Sequence, residues 1–225
     1  MVCSQKRVHP SDFNSFCHNG IINNDLRCFW PVSYGKSGLT DLTVGKGGPF
    51  NSLALNSGDI LSVDNTTTIT AGGTLSMSGG ALSTSTLFLD GGKFGAAASD
   101  FSDINTFQFN SGALNVTGPS GLTVGTDGPL GGLVVIANNQ ELIVDNTTTI
   151  ASGGSLSISG GSLNTSTLRL DGGTFSGPDL AGINTFEFIS GTLNVTGPAG
   201  LAVGAGGPDG EDDAGRGSVG HGDDQ

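Results

Sequence analysis

The sequence predicts an all-β protein, a parallel β-solenoid built from tandem repeats of about 80 residues, and three observations support this. The 225-residue chain holds 40 glycines, far above the usual share of about 7 per cent, without the three-residue period of collagen. Apolar residues recur at every second position in short segments, which is the spacing of a half-buried strand. Long segments occur twice with few changes, so the strands belong to a repeated unit.

The repeat is clearest in residues 104–125 and 183–204, which are identical at 17 of 22 positions. We place copy one at residues 39–121, copy two at 122–200 and the start of a third copy at 201–207. Residues 1–38 form an irregular, non-repetitive leader. Residues 208–225 form an acidic, glycine-rich tail that is expected to be disordered, because it has almost no apolar residues to bury.

Comparison of the two copies indicates which side chains face the interior. Leu87 and Leu89 flank Phe88, and the residue equivalent to Phe88 in the second copy is Arg169. A position that accepts either Phe or Arg faces water, so its two neighbours face inward. The same alternation predicts further inward pairs: Leu75 and Met77, Phe107 and Phe109, Leu114 and Val116, Leu156 and Ile158, Leu168 and Leu170, Phe186 and Phe188, and Leu193 and Val195.

The spacing of these pairs favours a solenoid over other all-β folds. Helix is disfavoured because Gly-Gly pairs recur throughout the repeats, and each glycine costs about 1 kcal/mol in a helix interior. Two or three short strands would make a coil of about 20–25 residues, so each copy would hold three or four coils. The coils would stack at about 4.8 Å. A propeller ranks lower, because two copies are too few to close a ring.

The charge and hydropathy of the chain exclude several function classes. The net charge is −12 with only eight basic residues, so a nucleic-acid interface, which needs a basic surface, is not expected. No stretch approaches the roughly 20 apolar residues of a membrane helix, and no membrane span is expected. The first 30 residues lack the apolar core of a signal peptide.

The segments GTLNVTGPAGLAVG (residues 191–204) and GGTLSMSGGALSTSTLFLDGGKF (residues 72–94) carry a resemblance to known proteins. They are similar to the repeats of bacterial autotransporter-type and PEP-CTERM-type surface proteins, over about residues 39–207. The resemblance implies export, an extracellular or cell-surface location, a β-helical stalk, and an adhesive or surface-layer role. The short third copy and the atypical ends lead us to expect a fragment of a longer protein.

No metal, cofactor or catalytic site is predicted. Cys3, Cys17 and Cys28 lack the paired spacing of a zinc site, and Cys17 is adjacent to His18, which suits two ligands of one metal poorly. Three cysteines leave one unpaired if a disulfide forms. Four aspartates recur at equivalent positions, where turn hydrogen bonding is the simpler expectation than calcium binding. They are Asp64, Asp90, Asp145 and Asp171.

Glycosylation and enzymatic activity are weaker alternatives. Five asparagines begin N-x-S/T sequences, and Asn115 and Asn194 are expected on the outward face; the others are Asn65, Asn146 and Asn164. A polysaccharide-cleaving β-helix would need paired carboxylates or a basic residue beside the substrate. The repeats hold only three basic residues, Lys46, Lys93 and Arg169, and Lys93 is replaced by Thr174 in the second copy.

The sequence therefore predicts a structural, adhesin-like and non-catalytic segment of an exported surface protein. The alternatives are a carbohydrate-active β-helix enzyme, or a truncated or spurious reading frame without a function of its own. We expect self-association through the solenoid ends, near Leu201–Gly204, because an uncapped coil exposes strand edges. Weak contacts with surfaces or carbohydrates are expected as well.

Overall fold

The computed structural model describes residues 21–22, 25–26, 39–198 and 200–201. It confirms the predicted fold class: the protein is all-β, and its parallel strands form a β-solenoid of about eight turns. The chain divides into two compact units, Met1–Asn115 and Val116–Gln225. The leader at residues 1–38 lies largely outside the described residues, as does the acidic tail at 208–225.

The first unit contains four coils. Two coils are each made of a strand pair, β3 (Leu39–Val44) with β4 (Ser52–Asn56) and β5 (Ile60–Thr70) with β6 (Thr74–Ser78). The next two are each covered by one long, bent strand, β7 (Ala81–Ala97) and β8 (Ile104–Thr117), of which β8 runs across the division between the units. A 3-10 turn, Ala98–Phe101, links β7 to β8.

The second unit repeats this order strand for strand. β9 (Leu122–Val124) and β10 (Leu133–Ala137) are followed by β11 (Gln140–Ala151) and β12 (Ser155–Ser159), and then by β13 (Ser162–Gly177) and β14 (Ile183–Val195). Each sequence copy therefore corresponds to four coils, the upper value of the predicted range. Two short strands precede the first unit's coils, β1 (Ile21–Ile22) and β2 (Asp25–Leu26).

The coils stack through parallel pairing in matching registers. In the first unit β3 pairs with β5 and β5 with β7, while β4 pairs with β6 and β6 with β7. In the second unit β9 pairs with β11, β11 with β13 and β13 with β14, while β10 pairs with β12 and β12 with β13. Because parallel neighbours in register point the same way, inward residues of successive coils form continuous columns.

These columns make the core of each unit. Leu75 lies in register between Leu53 and Phe94, and all three side chains are buried. Nine of the 16 predicted inward residues are buried, including both members of the Leu87–Leu89 pair, whereas Phe107, Phe109 and Ile158 are half-buried. Burying a Leu or Phe side chain contributes about 1.5–3 kcal/mol, so the columns are the main source of stability.

The last strand departs from the predicted burial. Phe186 and Phe188 are in register with the buried Leu168 and Leu170 of β13, so they lie on the inward face, yet Phe188 is 53% exposed. Among the described residues β14 pairs only with β13, so its inward side chains are covered from one side. Inward orientation is a property of the strand, whereas burial requires a coil on both sides.

The corners of the coils need glycine where two backbone segments meet. Gly73 follows β5, and a Cβ there would overlap the carbonyl group of Val44 in the coil below. Gly154 occupies the same position in the second unit, against Val124.

Within the part of the chain that the structure describes, no helix is long and apolar enough to cross a membrane.

We predict that Leu87→Ala lowers the free energy of unfolding by about 2–5 kcal/mol, because it leaves a cavity in a continuous column. Ser76→Ala, on the outward side of β6, is the control and should change the free energy by less than about 0.5 kcal/mol. Urea denaturation followed by circular dichroism measures both. Equal effects of the two substitutions would contradict the assigned faces.

We predict that Gly73→Ala is destabilising by about 1–3 kcal/mol, because the added methyl group overpacks the corner. Gly95→Ala is the matched control, since a Cβ at Gly95 would meet nothing within 4 Å. It should be neutral or stabilising by up to about 1 kcal/mol, because alanine restricts the unfolded chain. The same denaturation measurement applies, and a tolerated Gly73→Ala would argue against close contact at this corner.

Candidate functional site

The recurrent aspartates lie at the bends of the coils rather than in one cluster. Asp64 and Asp145 are exposed and fall within the register shifts of β5 and β11, while Asp90 and Asp171 lie at the next bend of the following coil. Asp90 accepts a hydrogen bond from the Ser111 hydroxyl at 3.4 Å. These positions suit local hydrogen bonding at a β-bulge, where backbone pairing is interrupted.

Two other carboxylates and one side-chain amide accept hydrogen bonds from the backbone of their own turns. Asp59 Oδ2 accepts the Asn56 N–H at 2.8 Å, and in the second unit Gln140 Oε1 accepts the equivalent Ala137 N–H at 2.6 Å. Asp100 Oδ2 accepts the Ala97 N–H at 3.0 Å. The sequence predicts turn hydrogen bonds for the four recurrent aspartates. At the three turns described here, such bonds are made by other side chains, those of Asp59, Asp100 and Gln140.

The candidate metal ligands do not come together in the described part of the chain. Among residues 39–198 and the few others described, no three His, Cys, Asp or Glu side chains lie close enough to hold a metal ion. Cys3, Cys17, Cys28 and His18 lie outside the described residues. Within residues 39–198, the structure therefore brings no set of candidate metal ligands together.

The three basic residues of the repeats have different surroundings. Arg169 Nη2 lies 3.4 Å from Asp171 Oδ2, and its Nη1 lies 4.0 Å from Glu187 Oε2 on the next coil. All three side chains are close to half exposed, so these ion pairs contribute little to stability. Lys46 and Lys93 are exposed. Arg169 thus neutralises two neighbouring carboxylates on the outer surface.

The asparagines of the N-x-S/T sequences differ in exposure. Asn194 is exposed, as predicted, and its Nδ2 donates to Ser176 Oγ at 3.4 Å. Asn115 was predicted to face outward but is half-buried, and its Oδ1 is shielded from solvent without a hydrogen-bond partner. The alternation of side chains identified its strand face correctly, but local packing covers the amide oxygen.

Two buried threonine pairs were missed by the sequence analysis. Thr67 occupies an inward column between Leu42 and Leu87, and its Oγ1 lies 3.2 Å from Thr84 Oγ1 across a bend. The Thr84 hydroxyl also lies within hydrogen-bond distance of the Asn65 and Thr86 carbonyl oxygens. This satisfies polar groups that would be costly to bury alone.

The second unit contains the same arrangement. Thr148 Oγ1 lies 3.0 Å from Thr165 Oγ1, which is in turn 2.9 Å from the Asn146 carbonyl oxygen. The position of Thr67 in the sequence indicates that it faces inward, because it precedes the inward Ile69 by two residues and therefore lies on the same face of the strand. Because these threonines are buried and fully engaged, they stabilise the bend and are not accessible to a ligand.

Outward threonines form a second set of columns on the surface. Asp41, Thr66 and Thr86 are in register on successive coils of the first unit. In the second unit an equivalent column is formed by Thr147, Thr167 and Thr185. Neighbouring hydroxyls on such a column are about 4.8 Å apart. This surface offers regularly spaced hydrogen-bonding groups.

No protein-family model, curated protein or solved structure matches the chain. The resemblance to autotransporter-type and PEP-CTERM-type repeats therefore stays a prediction.

We predict unequal effects when the buried threonine pair is altered. Thr84→Val should cost about 1–3 kcal/mol, because it leaves the Thr67 hydroxyl without its acceptor and one backbone carbonyl group without its donor. Thr67→Val should cost much less, because it retains volume and lies between leucines. Thr165→Val and Thr148→Val in the second unit provide an internal replicate. The free energy of unfolding measures all four, and equal losses for the two members of a pair would refute this assignment.

Proposed function

We propose that the chain is a structural, non-catalytic segment of an exported surface protein, and that its stacked coils hold a fixed spacing under load. One observation carries the proposal: the registers of the first unit recur in the second. Thr67 pairs with Leu87 as Thr148 pairs with Leu168, and the repeated ladder has no interruption at these positions. Repeated nearest-neighbour contacts are what a spacer of adjustable length requires.

The distribution of substitutions between the copies supports this role. Outward positions differ in size and charge, as in Phe88 and Arg169, or Lys93 and Thr174. Inward positions keep their apolar character, as in Leu75 and Leu156. A binding cleft for one ligand would require a specific set of outward groups, whereas a spacer requires only that the interior be maintained.

The outward columns of threonine support an adhesin-like contribution. Each hydroxyl contact with a carbohydrate or another surface is weak, but several equal contacts on one protein act together through effective concentration. The net charge of −12 favours neutral or cationic surfaces over phosphate-rich ones. The cell-surface or extracellular location rests on the resemblance of the repeats.

We predict that the full chain, tethered by its two ends in a force experiment, extends in discrete steps. Each step should release about 270 Å, since one sequence copy of roughly 80 residues spans about 3.4 Å per residue when extended. The double variant Gly73→Ala, Gly154→Ala should yield at lower force, because it weakens a corner in each unit. Gly95→Ala should behave as the unaltered protein.

Three outcomes would overturn the proposal. Smooth extension without steps would contradict the mechanical role. Saturable cleavage of a polysaccharide by the purified protein would instead favour a carbohydrate-active β-helix enzyme. Protease treatment of intact source cells should release peptides from residues 39–198. Their protection until the cells are lysed would contradict a surface location.

A further inference from the structure

Phe88 is the one phenylalanine of the described strands whose side chain lies on the outward face. It stands between the buried Leu87 and Leu89, and its own side chain is half-buried. The other phenylalanines of these strands lie on inward columns, and they are Phe94, Phe107, Phe109, Phe175, Phe186 and Phe188. Because the core columns run through its two neighbours, the Phe88 ring is not part of the core and is presented at the surface.

Polar side chains border Phe88 on this outward face. Thr68 is in register with Phe88 on the preceding coil, and Thr86 and Asp90 lie two residues away along β7. Register neighbours are about 4.8 Å apart, and alternate residues of a strand are about 7 Å apart. Three oxygen-bearing side chains therefore lie within reach of one molecule that rests on the ring.

The fourth neighbour of Phe88 is identified by comparing the two copies. Arg169 and Glu187 are in register on neighbouring coils of the second unit, and their side chains are 4.0 Å apart. The first copy has Phe88 and Gln108 at these positions, on the neighbouring strands β7 and β8. The ion pair is thus replaced as a whole by a ring beside an uncharged amide. We call this set the Phe88 surface, and its members are Thr68, Thr86, Phe88, Asp90 and Gln108.

Several polar groups of the Phe88 surface are uncommitted. Within the described residues, the side-chain hydroxyls of Thr68 and Thr86 form no hydrogen bond. Asp90 is exposed, and its Oδ1 accepts a hydrogen bond from the Ser111 hydroxyl at 3.4 Å. That bond orients the carboxylate, and Oδ2 has no partner in the described part of the chain. These groups can therefore bond to a ligand without breaking an existing contact.

A sugar ring matches the chemistry of this surface. One face of a glucose-like ring carries C–H groups, which pack on an aromatic face. Its rim carries hydroxyl groups, which donate to a carboxylate or an amide oxygen and accept from a hydroxyl or an amide N–H. An aromatic contact surrounded by a few polar groups is the usual composition of a small-molecule site. The carboxylate of Asp90 and the net charge of −12 favour a neutral sugar over an acidic one.

We propose that the Phe88 surface binds one ring of a neutral polysaccharide. The inference rests on the adhesin-like part of the proposed function, and it gives that contact a place and a ligand class. Binding at one ring is weak, because it buries little area, and it becomes effective when one polymer meets many copies of the chain. Self-association near Leu201–Gly204 stays a separate prediction, since only Leu201 of that segment is described.

Nuclear magnetic resonance tests the contact by transfer of saturation from aromatic protons of the full chain to cellohexaose, a neutral glucose hexamer. The sugar C–H protons should receive the transfer, and a titration gives the dissociation constant. Phe88→Leu should raise that constant at least about fivefold, because it keeps an apolar side chain and removes only the ring. Phe88→Tyr retains the ring and should stay within about twofold. Hexagalacturonate, an acidic hexamer, should not bind.

An exchange between the copies is the matched control. The double variant Phe88→Arg, Gln108→Glu should abolish binding, because it installs the ion pair of the second copy. The double variant Arg169→Phe, Glu187→Gln should raise the number of sites from one to two. The remaining side chains of the surface are already present in the second copy, and they are Thr149, Thr167 and Asp171.

Three results would overturn the proposal. They are the absence of transfer to cellohexaose at its solubility limit, equal affinity of the unaltered protein and Phe88→Leu, and a single site in the Arg169→Phe, Glu187→Gln variant. Circular dichroism should show an unchanged unfolding midpoint for Phe88→Leu, and loss of its fold would contradict the outward assignment. Failure of sugar binding would leave the stepwise extension under force intact, whereas smooth extension would contradict the spacer and not this subsite.

Discussion

The structure depends on the stacking of like side chains in parallel register. In each unit an inward residue is covered by residues of the coils above and below, as Leu75 is by Leu53 and Phe94. The same register aligns the backbone groups that hydrogen-bond between coils, so apolar burial and backbone pairing reinforce each other. A coil is consequently stable only beside another coil. Among the described residues β14 pairs only with β13, and its inward Phe188 is 53% exposed.

The bends impose a second constraint on the sequence. A coil of about 20 residues must turn several times, and at each turn backbone segments of neighbouring coils approach closely. Glycine occupies the tightest positions, such as Gly73 and Gly154, where a Cβ would overlap a carbonyl group. The buried pairs Thr67–Thr84 and Thr148–Thr165 serve the same bends by satisfying backbone carbonyl groups inside the core. The glycines and threonines that separate the apolar segments of the sequence therefore have distinct structural roles.

The outer surface is under much weaker constraint than the interior. Its columns accept Thr, Phe, Arg or Glu at successive levels, as at Thr149, Arg169 and Glu187. Such tolerance is compatible with a scaffold whose function lies in its length and stiffness. It also leaves room for weak, repeated contacts along the threonine columns, without requiring any one residue to act alone.

The sequence by itself determined the all-β class, the 80-residue repeat and the inward pairs such as Leu87 and Leu89, because alternation and duplication are local properties of the chain. The tertiary structure decided which segments stack and how completely each is covered. The contact of Thr67 with Thr84, the shielded Oδ1 of Asn115 and the exposure of Phe188 all depend on neighbours distant in sequence. No periodicity in a single strand encodes these neighbours, since whether a side chain is buried depends on the coils on either side of it.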